Sequence, residues 1–129
     1  MRDGDKFDLA KTFVQLRDDG GAFTVPVDEN FWMEIGNRPE LHGGRLVSLI
    51  SYRSDWQGWE MHPAGEEFVC LLSGDVDLIL DLPEGHKVVT LRERDAVLIP
   101  RGVWHTAKVR IPGEALHITA GAGTEHRPA

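Results

Sequence analysis

Apolar and polar residues alternate along most of this chain in short runs, and Gly, Pro and Asp interrupt the runs before a helical period develops. Val76, Leu78 and Leu80 alternate with Asp75, Asp77 and Asp81, the two-residue period of a strand with one buried face. Residues 46–52 predict another strand. Residues 67–72 are apolar on both faces and read as a strand covered on both sides. Residues 13–16 and 22–25 flank Arg17-Asp18-Asp19-Gly20-Gly21, a spacer that predicts a hairpin loop. Residues 87–91 should pair back across the turn Pro83-Glu84-Gly85, and residues 96–99, 106–111 and 115–119 complete the set. Residues 30–35 fit either a strand or a single helical turn. About ten short strands with frequent turns predict a closed all-β domain, sandwich or barrel. One domain is expected over residues 1–129, with 1–12 as an N-terminal extension and the Gly-rich residues 120–129 as a partly ordered tail.

Length and composition narrow the class. A chain of 129 residues buries one core and is too short for two. With 41% hydrophobic and 27% charged residues it is ordinary globular protein. Its net charge of -7, with no Lys/Arg cluster, argues against nucleic acid as a partner and against an anionic membrane surface. No apolar run approaches the roughly 18–20 residues of a membrane helix, and the first residues lack the apolar segment of a secretory signal. The cytoplasm is the expected compartment. Cys70 is the sole cysteine, which excludes an internal disulfide. Within its apolar run it reads as a buried, inert thiol.

The chemistry concentrates in residues 59–74. On a strand Glu60 and His62, two apart, point to one face. Glu67 lies an odd number of positions beyond His62, so an unbroken strand would turn it away. The turn Pro63-Ala64-Gly65 can reset that phase and return Glu67 to His62's side. A carboxylate and an imidazole so placed can hold a divalent metal, at about 2.0–2.2 Å for zinc. His105, entering a strand after Pro100-Arg101-Gly102-Val103-Trp104, is a candidate further ligand. Spacing alone does not bring it to the others.

Glu60, His62, Glu67 and Gly74 resemble the first motif of the cupin superfamily, which runs His-x-His, four residues, Glu, six residues, Gly. Pro100-x-Gly102-x-x-His105 resembles the second, and the short spacer between them suits a single-domain cupin. The resemblance implies a double-stranded β-helix, or jelly-roll, barrel whose inward motifs share one metal: manganese, iron, nickel, copper or zinc. Three positions depart from the pattern. Glu60 replaces the first histidine, Arg94 stands where the second motif usually begins with glycine, and Val109 where it usually ends with asparagine. If Glu60 ligates, the site has two imidazoles and two carboxylates. If it does not, His62, Glu67 and His105 form a two-histidine, one-carboxylate set suited to non-haem iron, and Glu60 becomes a candidate catalytic base whose pKa desolvation would raise.

The remaining candidates stay open at this point. Glu66 competes with Glu67, but the interval to Gly74 selects Glu67. His117 could point into the barrel or be a satisfied core histidine; His126 reads as a tail residue, and His42 and His86 as solvated turn residues. Trp59 and Trp104 flank the motifs, where pocket lining and core packing are both open, and Tyr52 and Arg53 carry no assignment. The resemblance implies a metal-dependent enzyme acting on a small molecule, by oxygenase (dioxygenase) or sugar-type isomerase or epimerase chemistry. The alternatives are a non-catalytic module sensing a metal or small ligand, and a barrel whose site has degenerated. Strands apolar on both faces would leave an outer surface for a second subunit, and a homodimer is expected.

Overall fold

The computed structural model of the chain describes residues 3–129. The predicted hairpin forms from β1 (Thr12–Leu16) and β2 (Ala22–Pro26), with Gln15 opposite Phe23. Residues 30–35, open between a strand and a single helical turn, form the turn α1 (Phe31–Glu34), and two 3-10 turns, Ile35–Asn37 and Pro39–Leu41, follow it. Phe31 is the one buried residue of α1 and packs edge-on against Phe13, ring centroids 5.2 Å apart. One aromatic plugged beneath the hairpin anchors a segment too short to pair as a strand.

The rest is strand: β3 (Arg45–Tyr52), β4 (Gly58–Met61), β5 (Glu67–Leu71), β6 (Asp75–Leu82), β7 (Gly85–Leu91), β8 (Ala96–Ile99), β9 (Trp104–Ile111), β10 (Gly113–Thr119) and β11 (Glu125–Pro128). They make two antiparallel sheets, in the orders β2-β1-β3-β10-β5-β8 and β11-β4-β9-β6-β7. This is the two-sheet arrangement of a jelly roll. The main core lies between them, with Val69, Leu71 and Ala115 from one sheet against Val76, Leu78, Leu80 and Ala107 from the other. The alternation seen in β6 is therefore the alternation of buried and half-buried positions. Its buried Leu78 and Leu80 each contribute about 1.5–3 kcal/mol by burial.

Two expectations need correction. β5 is not covered on both sides: Glu67, Val69 and Leu71 are buried while Phe68 and Cys70 are only half-buried. Among the described residues nothing forms a third layer over that face, and Cys70 is half-buried rather than the buried thiol its apolar neighbours suggested. The C-terminal stretch is not merely a tail, because β11 pairs with β4, setting His126 opposite Glu60 and Arg127 opposite Trp59.

Two turn positions explain motif letters. At Gly74 φ is +95°, and a Cβ would meet the Ile111 carbonyl oxygen at 2.6 Å, so the motif's glycine is sterically required. Arg94 has φ 70°, the only non-glycine residue at positive φ among the described residues. The family's glycine position thus keeps its left-handed backbone here although a side chain occupies it. The turn is held by Arg94 N–H to the Leu71 carbonyl at 2.7 Å and Asp95 Oδ2 on Arg92 N–H at 2.9 Å. Among the described residues, no helix is long and apolar enough to cross a membrane.

Candidate metal centre

β4 ends at Met61, and the His62 carbonyl accepts the Gly102 N–H at 3.0 Å, which fixes His62 beside the turn that introduces β9. Pro63-Ala64-Gly65 then carries the chain from the five-stranded sheet into β5 of the six-stranded one. The turn does more than reset strand phase. His62 and Glu67 meet across the core from opposite sheets, while Glu66 stays exposed. β9 pairs with β4 through Glu60 and His105, so these two stand side by side on one sheet.

All four predicted residues are brought together. The ligand atoms of Glu60, His62 and His105 lie within 4.8 Å of one another. His62 Nε2 is 3.2 Å from Glu60 Oε2 and 3.4 Å from Glu67 Oε2, and His105 Nε2 is 3.3 Å from Glu67 Oε1. Two imidazoles are thus shared between two carboxylates. The contacts are longer than the about 2.7–2.9 Å of charge-assisted hydrogen bonds. His62 Nε2, His105 Nε2 and Glu67 Oε1 are buried with no hydrogen-bond partner. Native interiors rarely leave one such atom orphaned, and here three converge on one point.

The opposite edge of each ring is firmly held. His105 Nδ1 lies 3.1 Å from the Val103 carbonyl oxygen, which can only accept, so Nδ1 carries the hydrogen and Nε2 presents a lone pair. Thr124 donates its hydroxyl hydrogen to the Gly121 carbonyl at 2.8 Å, leaving its oxygen to accept from His62 Nδ1, also at 2.8 Å. Both imidazoles therefore aim Nε2 inward, as metal-ligating histidines do when a neighbour fixes their tautomer.

Sequence reasoning left His117 unassigned, and the structure gives it a place. β10 lies against β5 with His117 opposite Val69, which puts His117 and Thr119 on Glu67's face. His117 Nδ1 donates to Glu67 Oε2 at 3.2 Å, and its Nε2 accepts from the Tyr52 hydroxyl at 2.7 Å. Thr119 also donates to Glu67 Oε2. Both donors bind one carboxylate oxygen and leave the other, Oε1, free toward His105. Tyr52 stacks on His117 and on Trp56, at 5.7 and 5.6 Å between centroids, and Trp56 also leans on His105 at 6.2 Å.

The electrostatics follow from this packing. Burial opposes charge on His62, but the carboxylates of Glu60 and Glu67 outweigh it and raise its pKa to about 9. Burial would raise Glu67, yet the close imidazoles of His105, His117 and His62 hold it well below the usual carboxylate range. Burial, reinforced by the charges of Glu67 and Glu60, keeps the Tyr52 phenol well above its ordinary 10.0, so it stays a donor.

Residues 53–119 match the family described as the cupin domain. The chain belongs to the cupin family. Its fold resembles a cobalt(II) form of HppE in complex with substrate, with TM-score 0.51 and 15% identity over 58% of this chain and 44% of that one. It also resembles hydroquinone 1,2-dioxygenase from Sphingomonas sp. TTNP3 with 4-hydroxybenzoate bound, with TM-score 0.51 and 21% identity over 60% of each chain. A cupin-2 domain protein from Shewanella frigidimarina gives TM-score 0.50 and 16% identity over 66% of this chain and 71% of that one. This cupin therefore spans less than half of HppE, and these likenesses concern the fold. No curated protein matches the sequence.

The remaining histidines separate cleanly. His42 is exposed, as expected. His86 is exposed too, although on strand β7 rather than in a turn. His126 is exposed on β11, directly across from Glu60. Trp104 and Trp59 do not line the Glu/His cluster; both rings flank the Arg127 guanidinium, at 4.5 and 5.3 Å.

Proposed function

We propose that this cupin is a metal-dependent enzyme acting on a small molecule, with Glu60, His62, Glu67 and His105 as ligands of one divalent ion. The observation that carries the reading is the convergence of three buried, unpartnered donor atoms, His62 Nε2, His105 Nε2 and Glu67 Oε1. With Glu60 beside them, the donors are two nitrogens and two carboxylate groups, a set suited to zinc, manganese or iron. Its two negative charges would neutralise the ion.

When bound, such a metal supplies Lewis-acid polarisation of a small molecule or, as iron(II), a centre for oxygen chemistry. The protein's own contribution is orientation. Val103 and Thr124 hold the imidazoles in the ligating tautomer, and His117 and Thr119 turn one oxygen of Glu67 toward the site. The apolar residues around them exclude water and strengthen each of these interactions. Glu60 is the most exposed of the four at 26%, against 1–6% for the others, so the side open to an incoming molecule is Glu60's. Oxygenase chemistry is the form we favour over sugar-type isomerisation, because hydroquinone 1,2-dioxygenase shares the fold.

Elemental analysis of protein purified without added metal tests the reading. Near-stoichiometric metal is expected, lost in His62→Ala and His105→Ala. A folded protein that takes up no metal after refolding with iron, manganese or zinc would overturn it. Iron content with oxygen uptake favours the oxygenase form over zinc or manganese Lewis-acid chemistry.

A further inference from the structure

Glu60 is the donor most exposed to solvent, so its side is the one an incoming molecule meets first. On that side lies an open cavity of about 430 Å³, bounded by the β3–β4 loop, Glu60 and the β11 residues His126 and Arg127. β11 lies beyond residues 53–119, the span that matches the family. Pairing puts His126 directly opposite Glu60, and opposed residues leave the same face of a sheet with Cβ atoms about 4.5–5.5 Å apart.

Most charges around this cavity are already committed. Arg127 is tied to Asp81 at 2.7 Å and lies between two indoles. Asp55 accepts from the Val109 N–H at 2.7 Å and faces Lys108 at 3.9 Å. Glu60 lies against His62 in the cluster. Arg53 lines the wall, is exposed, and has no ion pair or hydrogen bond with the described residues. A guanidinium offers five donors in a planar fork that matches the oxygens of a carboxylate or phosphate. His126 adds a ring N–H in either tautomer, and Trp56 adds an indole to the lining of the same cavity.

We propose that the cavity binds a small organic oxyanion, a carboxylate or phosphate ester with an apolar body, gripped by Arg53 and His126 at the entrance beside Glu60. The proposal rests on the metal reading for what happens at the far end of that molecule, and it extends that reading to a substrate class. It also makes the C-terminal strand part of the binding site, although the family match stops before it.

Benzoate, phenyl phosphate and the neutral isostere benzamide should be titrated by calorimetry into zinc-loaded and metal-free protein. Zinc affinity is measured on the same preparations. At least one anion should bind more tightly than benzamide. Arg53→Gln should weaken that anion about 10-fold or more, and His126→Phe should weaken it less, with zinc affinity unchanged in both. Whether benzoate or phenyl phosphate binds more tightly assigns the oxyanion. Equal binding of benzamide, an unaltered anion affinity in Arg53→Gln, or no anion binding at about 10 mM each overturns the proposal. If zinc binds normally and the anion preference is missing, this inference alone falls. If the wild-type protein takes no zinc, the metal reading falls, and the metal-free titration still decides on Arg53.

Discussion

On the inner face of the five-stranded sheet one transverse row runs His126, Glu60, His105, Leu80. On the outer face Arg127 lies opposite Trp59, and Asp81 lies opposite both Trp104 and His86, two pairings offset diagonally that together make up an outer row. The backbone and the register are the same. The outer row satisfies itself: Arg127 bonds Asp81 and lies over two indoles, while His86 sits 3.6 Å from Asp81 and 5.2 Å from the Trp59 ring. The inner row, with His62 and Glu67 arriving from beside and across, leaves donor atoms with no partner at all. A surface cluster completes its own bonding, whereas the interior cluster leaves donor atoms that, on the proposed reading, a metal ion would take up. Position on one side of a sheet, and not residue type alone, separates the two.

Removing an inner-row imidazole is the hardest way to break this comparison. His105→Ala should cut zinc affinity by at least about 100-fold, exceeding the 10–100-fold usual for residues behind a ligand. Isothermal titration checks this, and wild-type affinity in the variant would place the site elsewhere. Next comes His117. His117→Phe should lower zinc affinity by about 10–100-fold because Glu67 loses a donor that orients it. His117→Asn, whose amide N–H stands near the position of Nδ1, should recover most of that loss. Two equally weak variants would mean that His117 merely fills space.

The inner row should also give the metal-free protein a characteristic pH profile. His62 rises from 6.5 to about 9 on folding, so its stabilising contribution is complete below pH 6.5 and disappears as pH climbs through 9. Glu67 falls below 4.5, so its contribution is present above that value and is lost as pH drops through its lower folded pKa. The Tm of metal-free protein should therefore peak between about pH 4.5 and 6.5 and fall by several degrees toward pH 9. Metal should blunt the alkaline fall, since it replaces the proton on His62. A metal-free Tm that rises from pH 7 to 9 contradicts the charge arrangement. The smallest effect belongs to the outer row: Arg127→Ala should cost about 1 kcal/mol, its side chain being 40% exposed and solvent-screened. Zinc affinity should not move. Urea unfolding with a parallel zinc titration separates the two readouts.

The sequence made some of this legible. Strand alternation located β6, and the two motif-like segments named His62, Glu67 and His105. Their meeting in space could be read only through family resemblance, because the β4–β9 pairing and the packing of β5 against them from the other sheet are encoded by no local period. His117 was hidden for the same reason. Its neighbours Leu116 and Ile118 say that it alternates, but only the β10–β5 register says that it alternates toward Glu67. Thr124 and β11 were missed because Gly121-Ala122-Gly123 carries a turn signal, and a four-residue strand of Glu, His, Arg and Pro has no apolar face to announce it. Cys70 misled for the opposite reason: apolar neighbours on both faces describe composition, and burial needs a covering layer.

The interleaved strand order has a kinetic corollary. β10 inserts between β3 and β5, and β11 returns to β4, so the donor cluster does not exist until segments far apart along the chain have docked. Closing such long loops slows folding toward the millisecond-to-second range typical of barrel-like β proteins. Metal capture would then be a late event, and stopped-flow zinc uptake during refolding would time the closure of the last strand pairs.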